Sequence, residues 1–263
     1  MLRIENLTYC IQNKKILNSI NLHVQQGSLH ACLGPNGSGK STLLRNICNI
    51  WKAKQGKIYI QNQNIKNISR KKISQLVTLV PQDTHIAFPI TVQELVLLGR
   101  SPHLHRFQAH TEDDFQITMQ SMQKVGIEHL AKKLATEISG GERQLSWLAC
   151  ALTTQAPLLL LDEPTASLDI HHTLQIFQIL QYLKQQGLTI FVVLHELQYA
   201  YNYFDTVTLL HHGKIHATGK PENILTQTNI QTIFQVQAEC QTTETNKKLF
   251  HFLLPTRATN CFK

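Results

Sequence analysis

The sequence predicts an α/β fold with a parallel-stranded core, an antiparallel β subdomain and an inserted α-helical subdomain. Three observations predict it. The run GPNGSGKST follows an apolar strand and opens a helix. The runs Leu158–Leu161 and Ile190–Leu194 are apolar without alternation, as expected of strands buried on both faces. Residues 91–154 carry helical spacing and lack strand signals.

The elements follow in order. Strands are predicted over Arg3–Ile11, Ile16–Val24 and, after the turn QQGS, Leu29–Gly34. A helix is predicted over 41–50 and a strand over Lys57–Ile60. QLVTLVPQ, from Gln75, reads as a strand that stops at Pro81. Helical segments follow at 91–99 and 111–126, the second capped by Thr111 with Asp114 three residues on. A further helix covers Glu142–Thr154. Alternation of strand and helix then returns: strand to Asp162, helix 169–186 stopped by Gly187, strand Leu188–His195. A hairpin at 206–219 and a helix near 221–234 complete the pattern. Residues 235–263 are polar and weakly patterned, and no element is predicted there. The expected organisation is one domain over 1–235, with a helical subdomain at about 83–155, and a short extension over 236–263.

Composition narrows the function classes. With 263 residues, 42% hydrophobic and 16% charged, the chain can bury a sizeable core. The net charge of +8 admits an anionic partner. Lys and Arg are nevertheless dispersed, and no run reaches the ~5–6 like charges of a nucleic-acid arm. The charge therefore reads as plain basicity, with no nucleic-acid partner. The six cysteines form no C-x-x-C pair or framework spacing and read as reduced thiols of a cytosolic protein. The longest apolar run, APLLLL, is strand length, against the ~18 residues a membrane span needs. The first ten residues lack the apolar centre of a signal peptide. The expectation is a chain that neither spans a membrane nor is exported.

The chemistry concentrates at strand ends. Gly34 to Ser41 matches G-x-x-x-x-G-K-[ST] in the strand–loop–helix context the motif requires, which makes the core a P-loop NTPase core. Gly34, Pro35, Asn36, Gly37, Ser38 and Gly39 would wrap their N–H groups around phosphates. Lys40 would reach the terminal phosphates, Ser41 ligate Mg²⁺ and Thr42 add a hydroxyl. A glycine-rich turn is the plain alternative, and the flanking strand and helix argue against it. Asp162 and Glu163 end the apolar strand Leu158–Leu161, where such sheets place ligand groups. Asp162 would hold Mg²⁺ opposite Ser41, and Glu163 would take a proton from an attacking water. His195 and Gln82 also end apolar strands. Each alone reads as a satisfied core or edge residue. Beside a phosphate loop, His195 can reach the γ-phosphate or the water, and Gln82 can reach the metal or the water. A second anion grip is suggested by ISGGERQ, Ile138–Gln144, small residues opening a helix.

Together these motifs resemble the ATP-binding cassette family, the ATPase subunits of ABC transporters, over nearly the whole chain to about residue 235. ISGGERQ is similar to the family signature, with Ile138 and Glu142 in place of the usual Leu and Gln. The resemblance implies a head-to-tail homodimer with two ATP molecules sandwiched between subunits. Ser139, Gly140 and Gly141 would then grip the partner's γ-phosphate, and Asp169 of ASLD would cross the interface. It also implies ATP and Mg²⁺ as ligands, Glu163 as base, His195 as switch and Gln82 as coupling residue. An aromatic near the start would stack on adenine. The usual position falls on Ile11, and Tyr9 is the expected stacking residue, with Ile11 as an apolar substitute.

The segments VPQDTHIAFPITVQELVLLGRSPHLHRF and VVLHELQYAYNYFDTVTLLHHGKIHATGKPENILT are similar to those of importers of iron chelates, heme and vitamin B12. That resemblance implies an integral membrane permease docking on the helical subdomain, an extracellular or periplasmic substrate-binding protein, and a place on the cytoplasmic face of the membrane. The transported compound would not touch this chain. The histidine pairs His171–His172 and His211–His212, and His103 with His105, read as solvated surface rather than metal ligands. A soluble cassette ATPase for protein or iron–sulfur cluster assembly is the alternative. Against it stands ISGGERQ, where such proteins typically read SGGEKKR.

Overall fold

The computed structural model describes residues 1–243 and 248–254. In chain order its elements are β1 (Leu2–Ile11), β2 (Lys14–Val24), β3 (Leu29–Leu33), α1 (Lys40–Ile47), β4 (Gln55–Ile60), β5 (Gln63–Asn64), α2 (Arg70–Leu76) and β6 (Val77–Val80). Then come α3 (Val92–Leu97), α4 (Glu112–Val125), α5 (Gly140–Thr153), β7 (Leu158–Asp162), α6 (Ile170–Gln185), β8 (Thr189–Val193) and α7 (Leu197–Tyr203). The last are β9 (Thr206–His211), β10 (Lys214–Gly219), α8 (Pro221–Ile224), α9 (Gln227–Phe234), β11 (Gln237–Thr242) and β12 (Lys248–Leu253).

Three sheets result. An antiparallel sheet runs β2-β1-β4-β5. The central sheet runs β10-β9-β3-β8-β7-β6, with β10 antiparallel at one edge and the other neighbours parallel. The third is the hairpin β11–β12. The unalternating strands are buried on both faces, as expected. Leu159 and Leu161 of β7 and Ile190 and Val192 of β8 enter one core, with Leu95, Met122 and Leu148 of the helical subdomain and Phe177 of α6. Leu158, Leu160, Phe191 and Val193 point the other way, into a core shared with Leu43, Leu44 and Ile47 of α1 and with Leu2, Ile4 and Ile20 of the antiparallel sheet. Helix α1 is therefore held from both sides.

The helical subdomain is pinned by one buried cation. After α3 the chain winds through a 3₁₀ stretch, Leu98–His103, that contains Arg100. Arg100 donates from Nε to Asp114 (2.7 Å) and from Nη1 to the Thr153 carbonyl (3.1 Å) and Gln155 (3.0 Å). His103 Nε2 lies 2.8 Å from the Thr154 carbonyl. These groups serve carbonyls that the end of α5 cannot pair internally. Asp114 closes the Thr111 capping box on α4, so the predicted cap is present. The Thr111 amide, and secondarily Arg100, hold the Asp114 carboxyl down to about 2.

Several boundaries differ from the sequence expectation. Gln75 and Leu76 belong to a helix, not to the following strand. Ser69 caps α2 by accepting from the Lys72 amide, and Ile73 and Leu76 share its buried face. Helix α5 starts at Gly140 rather than Glu142, because Ser139 and Glu142 form a capping box. The helix near 221–234 is two helices, the second restarted by a Thr226 cap. The hairpin β11–β12 was not legible because, among its described residues, only Ala238 and Phe250 are buried. That is too little to mark an alternation.

Candidate active site

The loop between β3 and α1 is shaped by close approach. A Cβ on Gly34 would lie 2.1 Å from the Leu210 carbonyl oxygen, and Gly39 turns at φ 107°. Only glycine meets both demands. Lys40 is 5% exposed and donates from Nζ to the carbonyls of Gly34 (2.8 Å) and Pro35 (3.2 Å). Burial lowers its pKa. Its charge is thus held by two weak acceptors at the mouth of a cavity, ready to exchange them for an anion.

That cavity has a volume of about 920 Å³. Asn36, Gly37, Gly39, Lys40, Ser41 and Thr42 line it from the loop, and Gln82, Glu163 and His195 from the strand ends. Gly34, Pro35 and Ser38 stand behind the lining. Ser41 Oγ donates to Asp162 Oδ1 (3.1 Å). Burial raises the Asp162 pKa, with the neighbouring Glu163 charge adding to it. A buried carboxylate and a hydroxyl side by side are hard oxygen donors, and with the Gln82 amide oxygen they fit Mg²⁺.

Glu163 sits at φ +50°, a left-handed conformation that is costly for a residue with a side chain. Its amide donates to the Val193 carbonyl at 3.1 Å, which ties the turn to the neighbouring strand. Its two carboxylate oxygens are each engaged. Oε1 meets His195 Nε2 at 2.5 Å, and Oε2 accepts from Gln82 Nε2 at 2.7 Å. Two residues from two other strand ends, far apart in sequence, therefore converge on the Glu163 carboxylate.

The expected adenine contact needs correction. Tyr9 does not line the cavity; Ile11 and Trp51 do. Regular alternation would put Tyr9 and Ile11 on one face of β1, but the strand has register shifts on both sides of Tyr9. The Tyr9 ring instead stacks against Trp51, with centroids 5.8 Å apart and planes 6° apart. The Arg45 guanidinium lies 4.4 Å from the Trp51 ring centre. Trp51 was missed because it lies outside every motif.

Ser139, Gly140, Gly141 and Asp169 lie outside this cavity. Ser139 and Gly140 are exposed at the start of α5. Ser139 Oγ accepts from the Glu142 amide (3.2 Å), and Glu142 Oε2 accepts from the Ser139 amide (2.8 Å). The glutamate that departs from the signature thus completes a cap. Asp169 is exposed and caps α6. The carboxylate of Asp169 and the rings of His171 and His172 form one cluster, a partner that the solvated reading of that histidine pair did not anticipate. Asp169 already serves the helix N-terminus, which disfavours a cation.

A second cavity, of about 530 Å³, lies over the helical subdomain. Its walls include Ile73 of α2, Leu98 and Pro102 of the 3₁₀ stretch, and Trp147 and Cys150 of α5. The exposed Ile50 and Leu98 (59% and 52%) stand at it. Trp147 Nε1 donates to the Thr84 carbonyl (3.0 Å), two residues past Gln82. Among the described residues no helix is long and apolar enough to cross a membrane.

Known proteins are similar to this chain in sequence and in fold. Residues 17–166 match the ABC transporter family model. The ferric enterobactin transport ATP-binding protein FepC of Escherichia coli K12 is 35% identical over 234 residues, covering 89% of this chain and 86% of FepC. An inward-facing structure of a putative metal-chelate type ABC transporter matches with a TM-score of 0.84 at 30% identity, covering 98% of both chains. The dimeric structure of MJ0796, a bacterial ABC transporter cassette, matches with a TM-score of 0.73 at 26% identity, covering 84% of this chain and 99% of that one. With more than half of its length matched by the family model, the chain belongs to the ABC transporter family, as an ATP-binding, ATP-hydrolysing cassette.

Proposed function

We propose that this cassette powers an importer for an iron(III)–siderophore, heme or related chelate. The observation that carries the catalytic half is the convergence of Gln82 and His195 on Glu163, across the cavity from Lys40. ATP would lie with its phosphates in the loop from Gly34 to Thr42 and its base toward Ile11 and Trp51. Lys40 would leave its two carbonyls for the terminal phosphates. Ser41, Asp162 and Gln82 would hold Mg²⁺, which when bound neutralises phosphate charge.

Hydrolysis then proceeds by attack of water on the γ-phosphorus. The water's proton passes to Glu163, the bond to the bridging oxygen breaks and ADP leaves. Each Glu163 oxygen carries one contact and keeps a second lone pair, so the carboxylate can accept from a water with both contacts in place. Gln82 is the contact tied to the second cavity, because its loop also runs to Trp147. His195 would hold the carboxylate and face the γ-phosphate.

The grip at Ser139, Gly140 and Gly141 does not line the chain's own phosphate cavity, and Ser139 and Gly140 are exposed, which supports a head-to-tail homodimer in which it binds the partner's γ-phosphate. Asp169 would cross that interface. The apolar second cavity supports docking of a short helix from an integral membrane permease. An extracellular or periplasmic substrate-binding protein would complete the importer, with this chain on the cytoplasmic face of the membrane. The division into one ATP-binding domain over 1–235, its helical part at about 83–155 and an extension over 236–263 belongs to the same proposal. The likeness to FepC and to the metal-chelate transporter supports the class of cargo.

The test is Glu163→Gln. The variant should bind MgATP with affinity within a few-fold of the parent, lose about 10²–10⁴ in hydrolysis rate, and dimerise stably with ATP. Hydrolysis at the parent rate would remove Glu163 from the role of base. Purification of the tagged chain from detergent-solubilised membranes should bring down a polytopic membrane protein in equal amount.

A further inference from the structure

We infer that His172 is a positioning residue that locks the signature loop to the Asp169 loop, so that both reach the partner subunit as one rigid unit. The inference rests on the reading of Ser139–Gly141 as the grip on the partner's nucleotide. Two independent contacts carry it. Asp169 caps α6 by accepting from the His172 amide at 2.8 Å. The same carboxylate lies 2.9 and 3.0 Å from His172 Nδ1, so both of its oxygens address one ring. A carboxylate only accepts, so Nδ1 carries the hydrogen and the ring's orientation is set.

The second contact is on the other side of the ring. Gly141 is in the first turn of α5, with no left-handed φ. Helical backbone alone would favour alanine there. A Cβ built on Gly141 would lie 2.3 Å from His172 Cδ2, 2.5 Å from Cγ and 2.6 Å from Nε2. A side chain at 141 would therefore collide with the His172 ring where it stands. By contrast, a Cβ on Gly140 would meet nothing nearer than Arg143 Nη2 at 3.9 Å. The missing Cβ of Gly141 points into the chain's own histidine.

His172 therefore spans two elements that act in trans. Its side chain is 28% exposed and touches neither the loop nor the strand ends of its own cavity. Loss of the ring should leave ATP binding in that cavity intact and impair only the joining of two subunits. That split separates a positioning role from a general loss of structure.

The experiment uses the full chain carrying Glu163→Gln, with ATP-driven dimerisation read by sedimentation and ATP binding read on dilute, monomeric protein. Adding His172→Ala should weaken dimerisation about tenfold and change monomer ATP affinity less than twofold. His172→Asn, whose amide can still donate to Asp169, should recover at least half of the loss. Gly141→Ala should weaken dimerisation by itself, yet add nothing once His172 is alanine. Unchanged dimerisation in His172→Ala would overturn the inference, as would losses from the two substitutions that multiply to about 100-fold. If the parent variant itself does not dimerise with ATP, the reading of the signature falls, and the inference with it.

Discussion

The two cavities described for this cassette are built on opposite physical terms. The one over the strand ends, about 920 Å³, holds charges placed at a cost: a buried ammonium, a buried carboxylate and a strained glutamate. The one over the helical subdomain, about 530 Å³, is walled mostly by apolar side chains and closed polar contacts. The first is unstable in its own charges and improves when a polyanion arrives. The second is complete in itself and offers apolar area. A nucleotide suits the one, a protein helix the other, and the Gln82–Trp147 segment runs between them.

Asp162→Asn breaks the first side of this contrast most severely. Hydrolysis should fall by about 10² or more, since the carboxylate proposed to hold Mg²⁺ is lost. The nucleotide-free protein should nevertheless melt higher, by about 2–4 °C if about 1 kcal/mol of buried-charge penalty is relieved. Calorimetry with and without MgATP checks both signs together. A lower melting point would mean that Asp162 is stabilising in the absence of nucleotide, and the charge argument would fail.

Arg100→Ala probes the other side. It leaves Asp114 buried without its cation and strips the end of α5 of a donor. Breaking one partner of a buried pair costs about 3–5 kcal/mol. Urea titration should show that loss, with residual ATP affinity of the folded protein within a few-fold. An equal collapse of ATP affinity would mean that the two regions are not separable.

Acid separates the regions more gently. His30 of β3, just ahead of the phosphate loop, is buried against Phe191 and hydrogen-bonded to Thr206 and Thr208, and burial lowers its pKa to about 3. The unfolded chain binds that proton near pH 6.5 and the folded one does not. Its stabilising contribution is complete above pH 6.5 and is lost toward pH 3, by at most about 1.4 kcal/mol per pH unit. Asp114, held at about 2, keeps its contribution above pH 4 and loses it only as the pH falls through 2. Between pH 6 and 4 the His30 slope should therefore dominate, and His30→Asn should flatten it in acid unfolding curves.

What was legible in the sequence follows the same divide. The phosphate loop, Asp162 and Glu163 are local: their spacing is their geometry. The convergence of Gln82 and His195 on Glu163 was readable only as three strand ends in a row. Arg100 was opaque, because its partners lie 14, 53 and 55 residues away and only one of the three is charged. Tyr9 was misplaced because a register shift is invisible in an alternating strand.

The smallest expected effect tests that last correction. The chain has two tryptophans, Trp51 at the nucleotide cavity and Trp147 at the apolar one. ATP should alter the emission of Trp51 directly, because the base would enter beside its ring. Trp147→Phe should keep the response and Trp51→Phe should lose it, with affinity reduced only a few-fold, about 1 kcal/mol of ring contact. Tyr9→Leu should also cost little, since Tyr9 acts through the packing of Trp51 rather than on the base. If Tyr9→Leu weakened ATP binding tenfold while Trp51→Phe did not, adenine would stack on Tyr9 after all. The β1 register would then have to change when nucleotide binds. If the response survived Trp51→Phe and vanished with Trp147→Phe, ATP would be felt first at the apolar cavity. The segment from Gln82 to Thr84 would then be the first part of the cassette to move.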